Sequence, residues 1–207
     1  MVELFISTLI TFFVVIDPIG CAPIYAGLTA DATTAQRRAM AIRAITVSAA
    51  IILVFALFGE HLLGGLGISL DSFRIAGGIM LFLIALEMVF EKRTKRREDR
   101  AQKIIDEQPE VEDVSIFPMA MPMIAGPGSI ASIMLLMSRD SGLERSIVIL
   151  AAVGVILLLT LAALMAAGPL MRLMGDKIEA MITRLLGVLL SAFSVQFIVD
   201  GVRASFT

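Results

Sequence analysis

Tryptophan is absent from these 207 residues, and tyrosine, histidine and cysteine occur once each. The lone Cys21 excludes an intramolecular disulfide, a CxxC redox pair and a cysteine zinc cluster. The lone His61 leaves almost no scope for a histidine metal site or a Ser-His-Asp triad. Charge is scarce as well. Asp, Glu, Lys and Arg make up 17% of the chain, against about 25% in a soluble domain. The net charge of −2 lacks the basic excess of a nucleic-acid binder. No HExxH, GxSxG or close acid pair is present, so the sequence reads as a non-enzyme with no cofactor. No GxxxxGK[ST] loop is present either, which argues against ATP-driven pumping by this chain alone. What the chain has instead is apolar mass: 58% hydrophobic residues, sixteen glycines and a mean hydropathy of +0.93. Too little polar surface remains to cover a soluble globule. The sequence is that of an integral membrane protein, its glycines suited to close helix contacts in a bilayer.

A spanning helix needs about 20 mostly apolar residues to cross roughly 30 Å of hydrocarbon. Residues 114–138 and 146–171 carry no charge, and four other runs qualify when one or two charges are tolerated. Six spans are expected near 2–29, 42–66, 71–90, 114–138, 145–170 and 183–203. The N-terminal run has no basic n-region, carries Glu3 and outlasts a signal-peptide core, so it reads as the first span. The one hydrophilic stretch, 91–113, begins with seven Lys and Arg and ends acidic. It reads as a solvated loop that fixes topology, or as a patch for lipid or a partner. Thirteen of the 17 Lys and Arg fall on the side of that loop; Arg74, Arg139, Arg145 and Arg203 fall on the other. The positive-inside rule then places the loop in the cytoplasm and both termini outside.

The two halves resemble each other. Pro18 and Pro23 in the first span are five apart, as are Pro122 and Pro127 in the fourth, and Phe13 and Phe117 each precede the pair by five residues. Arg43 and Arg145 open the second and fifth spans, and Arg74-Ile75-Ala76-Gly77 has a counterpart in Arg184-Leu185-Leu186-Gly187. With three spans per half, the second copy must be inverted, a plan recurrent among secondary transporters. The expected fold is therefore all-α and membrane-embedded: a first three-helix repeat over 1–90, a charged loop over 91–113, and a second, inverted repeat over 114–207. The first and fourth helices would be broken by Pro and Gly.

The breaks are where chemistry is expected. Each proline removes an N–H and collides with the carbonyl four residues back. Pro18, Pro23, Pro122 and Pro127 would thus release carbonyls that must find protein, water or a ligand. Gly20, Gly126 and Gly128 permit irregular backbone at the same places. Asp17 before Pro18 has the order of an N-cap followed by a first helical residue, and Gly126-Pro127-Gly128-Ser129 can open a half-helix at Pro127. Two half-helix N-termini would then offer N–H groups to an anionic group, while carbonyls and the Asp17 carboxylate suit an ammonium group, Na⁺ or H⁺. An acid inside a span is a functional candidate because burying it costs about 2.5–3.5 kcal/mol on insertion scales. The alternative is that Asp17 only caps a helix and pairs with backbone N–H groups. Glu87, Asp200, Glu60 and His61 sit near span ends and read as interfacial. Ser191, Ser194 and Gln196 are expected to cross-link helices or line a cavity, Gly187 with Ser191 to pack, and Met119, Met121 and Met123 to fill irregular space.

At Asp17-Pro18-Ile19-Gly20 with Pro23, and at Ala125-Gly126-Pro127-Gly128-Ser129, the chain resembles the MarC family of bacterial and archaeal membrane proteins over nearly its whole length. More remotely it is similar to LysE-type exporters. SnatA-like members of the family are described as carriers of small neutral amino acids such as glycine and alanine, coupled to a cation gradient. The resemblance implies a secondary transporter in the inner membrane, a small-molecule solute as partner, and a site formed by Asp17, Pro18, Gly20, Pro23, Pro122, Gly126, Pro127, Gly128 and Ser129. Asp17 would hold the ammonium or the coupling cation, and Asp17→Asn would abolish uptake. The alternative is a non-transporting scaffold that docks partners through 91–113. Either could act as a monomer or a homo-oligomer.

Overall fold

The computed structural model describes residues 1–90, 92, 95, 96, 98, 99, 102, 113–138 and 142–206, with backbone alone for 171–177 and 179. The expected loop 91–113 lies mostly outside the described residues. All regular structure described is helical. Helices α1 (Val2–Ile16) and α2 (Pro18–Leu28) follow each other directly and count together as one span of 27 residues. Helix α3 (Thr34–Gly65) begins eight residues before the expected second span. A capping box starts it: the Gln36 N–H donates to the Thr33 hydroxyl at 3.3 Å, and the Thr33 N–H donates to Gln36 Oε1 at 2.9 Å. Its 32 residues extend about 48 Å, well beyond the hydrocarbon, so its first turns project past it. The Arg37 guanidinium donates to the carbonyls of Thr29 and Ala30 at 2.8 and 2.7 Å, and the Tyr25 hydroxyl donates to the Arg37 carbonyl. These bonds close the α2–α3 turn.

Helix α4 (Leu70–Val89) is capped by Ser69, whose hydroxyl accepts from the Ser72 N–H at 3.2 Å. After the charged stretch come α5 (Ser115–Ile124), a wide and irregular coil, and α6 (Pro127–Ser138), bent 52° from it. Then follow α7 (Leu143–Met165) and α8 (Ala167–Ala204). Among the described residues, five helical stretches are long and apolar enough to cross a membrane, and a sixth span results if the bent α5–α6 pair is one.

The fifth span was expected to run to 170, but α7 ends at Met165 and α8 begins after a turn at Ala166. Pro169 falls in the first turn of α8, where its missing N–H removes no helix bond. Residues expected to form an open loop are therefore helical, and the sixth span occupies Ala180–Ala204 of that same 38-residue helix.

The bundle is organised around α4 and α8, which run antiparallel in its closest contact. A Cβ on Gly78 would lie 2.9 Å from the Ser194 carbonyl oxygen; one on Gly187, 3.0 Å from that of Ala85; one on Gly201, 3.0 Å from that of Asp71. Only hydrogen at these positions lets the backbones approach so closely. Around this pair, α1 and α2 pack on α7 and α8, while α5 and α6 pack on α3 and α6 packs on α4. One core cluster centres on Phe12, Ile16, Tyr25, Ile124 and Ile133. A second joins Val14, Val15, Leu81, Met88, Leu135 and Phe197. Outward faces stay apolar, with Leu53, Val54, Leu57, Phe58, Leu158 and Leu185 exposed, as a lipid-facing surface requires.

Candidate functional site

At the α1–α2 junction, Asp17 does two jobs with its backbone and one with its side chain. Its N–H donates to the Phe13 carbonyl at 3.0 Å to close α1, and its carbonyl accepts from Cys21 at 3.0 Å to open α2. Its φ of 58° and ψ of 69° are left-handed, a conformation that Asp tolerates better than most residues. The carboxylate accepts from the Gly20 N–H at 3.1 Å and is 2% exposed. A Cβ on Gly20 would collide with that carboxylate, which accounts for the glycine. The cap-then-proline order is thus realised, with Pro18 in the first helical position. Pro23 lies in the interior of α2. Helix α2 passes straight through it, so the lost N–H removes one bond to Ile19 without ending the helix.

The fourth span is broken more deeply. Phe117 and Met121, each preceding a proline, have extended backbone (φ −124°, ψ 126° and φ −130°, ψ 123°), as crowding by the proline ring demands. The peptides Phe117–Pro118 and Met121–Pro122 are cis. The N–H groups of Met119 and Ala125 reach back five residues, to Val114 at 3.3 Å and Ala120 at 2.8 Å. Helix α6 then starts at Pro127, with the Ile130 N–H on the Gly126 carbonyl at 3.0 Å and the Ser129 hydroxyl on the Ile124 carbonyl at 2.6 Å. The N–H groups of Gly128 and Ser129 belong to the first helical turn and have no carbonyl within α6 to pair with.

A cavity of about 500 Å³ opens at this break. From the α5–α6 side it is lined by Pro118, Pro122, Met123 and Gly126 through Ser129; from α1 by Val15; from α4 by Met80, Leu83, Ile84 and Glu87; and Arg96 completes it. The α4 residues are one helical stripe at spacings of three and four. Gly128 is where α4 and α1 press on α6: a Cβ there would lie 2.8 Å from Ile84 Cδ1 and 3.2 Å from Val15 Cγ1. Of the expected site residues, Pro122, Gly126, Pro127, Gly128 and Ser129 meet in the cavity lining. Asp17, Pro18, Gly20 and Pro23 are not part of that lining; they form the neighbouring junction instead.

Glu87, expected near the cytoplasmic end of its span, has a further part here. It lines the cavity and pairs with Arg96 at 2.6 Å, its side chain 23% exposed against 62% for the arginine. The stripe Met80-Leu83-Ile84-Glu87 was available as a signal; which way it faces was not. Other candidates stay local. The hydroxyls of Ser191 and Ser194 donate to carbonyls of their own helix, at 2.7 and 2.8 Å, and Gln196 donates to Asp200 at 2.7 Å. Glu60 and His61 are exposed. Gly187 packs against Met88. Among the described residues, no three His, Cys, Asp or Glu side chains are grouped to hold a metal.

A chain of apolar helices with an irregular span and a cavity beside it is an integral, multi-pass membrane protein. The family model of the MarC family integral membrane proteins matches residues 2–206, and the chain belongs to that family. It is 34% identical over 203 residues to a UPF0056 membrane protein of Methanocaldococcus jannaschii, covering 98% of both chains. To the UPF0056 membrane protein YhcE of Escherichia coli it is 33% identical, over 95% of this chain and 91% of the other. To a relative in Aquifex aeolicus it is 30% identical, over 97% and 92%. No solved structure matches the chain.

Proposed function

We propose that this protein is a secondary transporter of a small neutral zwitterion, an amino acid of the size of glycine or alanine, driven by a Na⁺ or H⁺ gradient. One observation carries the reading: a cavity of about 500 Å³ sits where a helix begins inside the bundle, beside backbone that proline has released from helical bonding. That volume falls within the roughly 300–1,000 Å³ usual for small-ligand sites. The first-turn N–H groups of Gly128 and Ser129 suit the carboxylate end of the solute, and the positive end of the α6 dipole favours it.

The helix packing supports two inverted repeats. Exchanging the halves turns α1 and α2 on α7 into α5 and α6 on α3, and α1 and α2 on α8 into α5 and α6 on α4. The contacts of α5 and α6 on α3 and of α6 on α4 exist, and the α4–α8 and α3–α7 contacts map onto themselves. Rocking one repeat against the other around a midplane site is the usual consequence of that arrangement. The basic bias of the 91–113 side supports a cytoplasmic-membrane protein with both termini outside. In that orientation the Glu87 end of the cavity faces the cytoplasm.

The test is transport itself. Protein reconstituted in liposomes should accumulate labelled glycine or alanine when a Na⁺ or H⁺ gradient is imposed, and lose the label when the gradient collapses. A panel of neutral amino acids giving no gradient-dependent uptake with either ion would refute the proposal.

A further inference from the structure

We infer that Glu87 is the ammonium-binding residue of the cavity, and that Arg96 occupies Glu87 whenever the cavity is empty. The inference rests on the transport reading of the same site. A zwitterion needs an acidic partner for its ammonium end, and the acid most conspicuous in the sequence is already committed. The Asp17 carboxylate caps α2 through the Gly20 N–H, is 2% exposed and does not line the cavity. Glu87 is the one acidic side chain among the described lining residues. It sits at the end of the α4 stripe that forms one wall, facing a cavity whose other wall is the start of α6.

The ion pair explains how such an acid can be kept ready. A half-buried carboxylate left without a counter-charge is strongly unfavourable. The Arg96 guanidinium, 2.6 Å away, supplies one. The two partners are unequal: the Glu87 side chain is 23% exposed and that of Arg96 62%. Arginine can therefore return to water at little loss, since exposed ion pairs contribute little. Glu87 cannot. An arriving ammonium group replaces the guanidinium, keeps the local charge balanced and frees Arg96 from the mouth of the cavity. A solute without an ammonium group cannot make that exchange, so the pair also sets selectivity.

Thermal unfolding of the purified full-length protein, with glycine or with acetate as the probe, tests this. Glycine should stabilise the wild type, while acetate, which lacks the ammonium group, should stabilise it far less. Glu87→Gln should weaken apparent glycine affinity by at least about tenfold, because a charged hydrogen bond is lost, whereas Glu87→Asp should retain part of it. Arg96→Gln should tighten glycine binding, because the competing cation is gone; a purely structural ion pair would not produce that gain. If Glu87→Gln fails to fold, Glu87→Asp and Arg96→Gln still decide. A folded Glu87→Gln that responds to glycine as the wild type does overturns the inference and leaves the transport reading standing. Weaker glycine binding in Arg96→Gln overturns the exchange. A wild type that no neutral amino acid stabilises counts against the transport reading, and the inference falls with it.

Discussion

Asp17 offers the sharpest separation between a ligand and a structural part. Its side chain caps α2 at 3.1 Å while its own backbone is left-handed at φ 58°. Asp17→Ala removes the cap, which costs about 0.5–2 kcal/mol. Alanine also keeps a Cβ in left-handed backbone, at a cost of roughly 1–2 kcal/mol, without the local hydrogen bond that lets Asp adopt it. The expected loss is about 2–3 kcal/mol. Asp17→Asn keeps both features, because an amide oxygen can cap and asparagine tolerates that conformation, so its loss should stay within about 0.5 kcal/mol. Asp17→Gly loses the capping oxygen but has no steric conflict at positive φ, and should fall between them, nearer to Asn. Unfolding of the three variants in detergent should give the order Asn, Gly, Ala from mildest to most severe. Glycine uptake by Asp17→Asn in liposomes should remain near that of the wild type. A well-folded Asp17→Asn with no uptake would refute this reasoning and make the charge itself the functional element.

Two further predictions use glycines in contrasting places. Gly187→Ala forces a Cβ to 2.8 Å from that of Met88 at the α4–α8 contact, whereas Gly154→Ala in α7 meets nothing within 4 Å. The first should destabilise by about 1 kcal/mol net, as overpacking outweighs the helix-propensity gain. The second should stabilise by about 0.5–1 kcal/mol. Unfolding midpoints shifting the same way in both would contradict the close packing described. Gly126→Ala places its Cβ onto the Pro122 carbonyl oxygen, so backbone in the cavity wall must move. A loss of about 1–3 kcal/mol is expected, together with loss of glycine-dependent stabilisation; unchanged values in both would show that the break tolerates a side chain.

The residues that announced themselves were those whose effect is local. Pro18 after Asp17, and Pro127 after Gly126, start helices because a proline without an N–H fits best in a first turn, and both helices begin there. Phe117 and Met121 are extended because each precedes a proline. Pro23 releases the Ile19 carbonyl without ending α2: a helix can forgo one bond when its remaining turns are packed, and the sequence around Pro23 does not say how well packed they are. The turn at Ala166 was marked only by the small residues Ala166 and Ala167 and by Gly168-Pro169 after them. The run 146–171 carries no charge, so hydropathy alone does not show where one helix ends and the next begins.

By itself the sequence determined that the chain lives in a membrane, roughly where it crosses, and where its backbone must break. Those outcomes follow from hydropathy, charge counting and the chemistry of proline and glycine, all of which act within a few residues. Only the tertiary structure decided that a cavity opens at the break of the fourth span, that Asp17 is turned into its own helix junction, and that Glu87 rather than Asp17 joins Gly128 and Ser129 in its lining. Those depend on the rotation of each helix about its axis. That rotation is set by how α4 seats against α8 and α6 through glycines far apart in the chain, and no local pattern of residues encodes it.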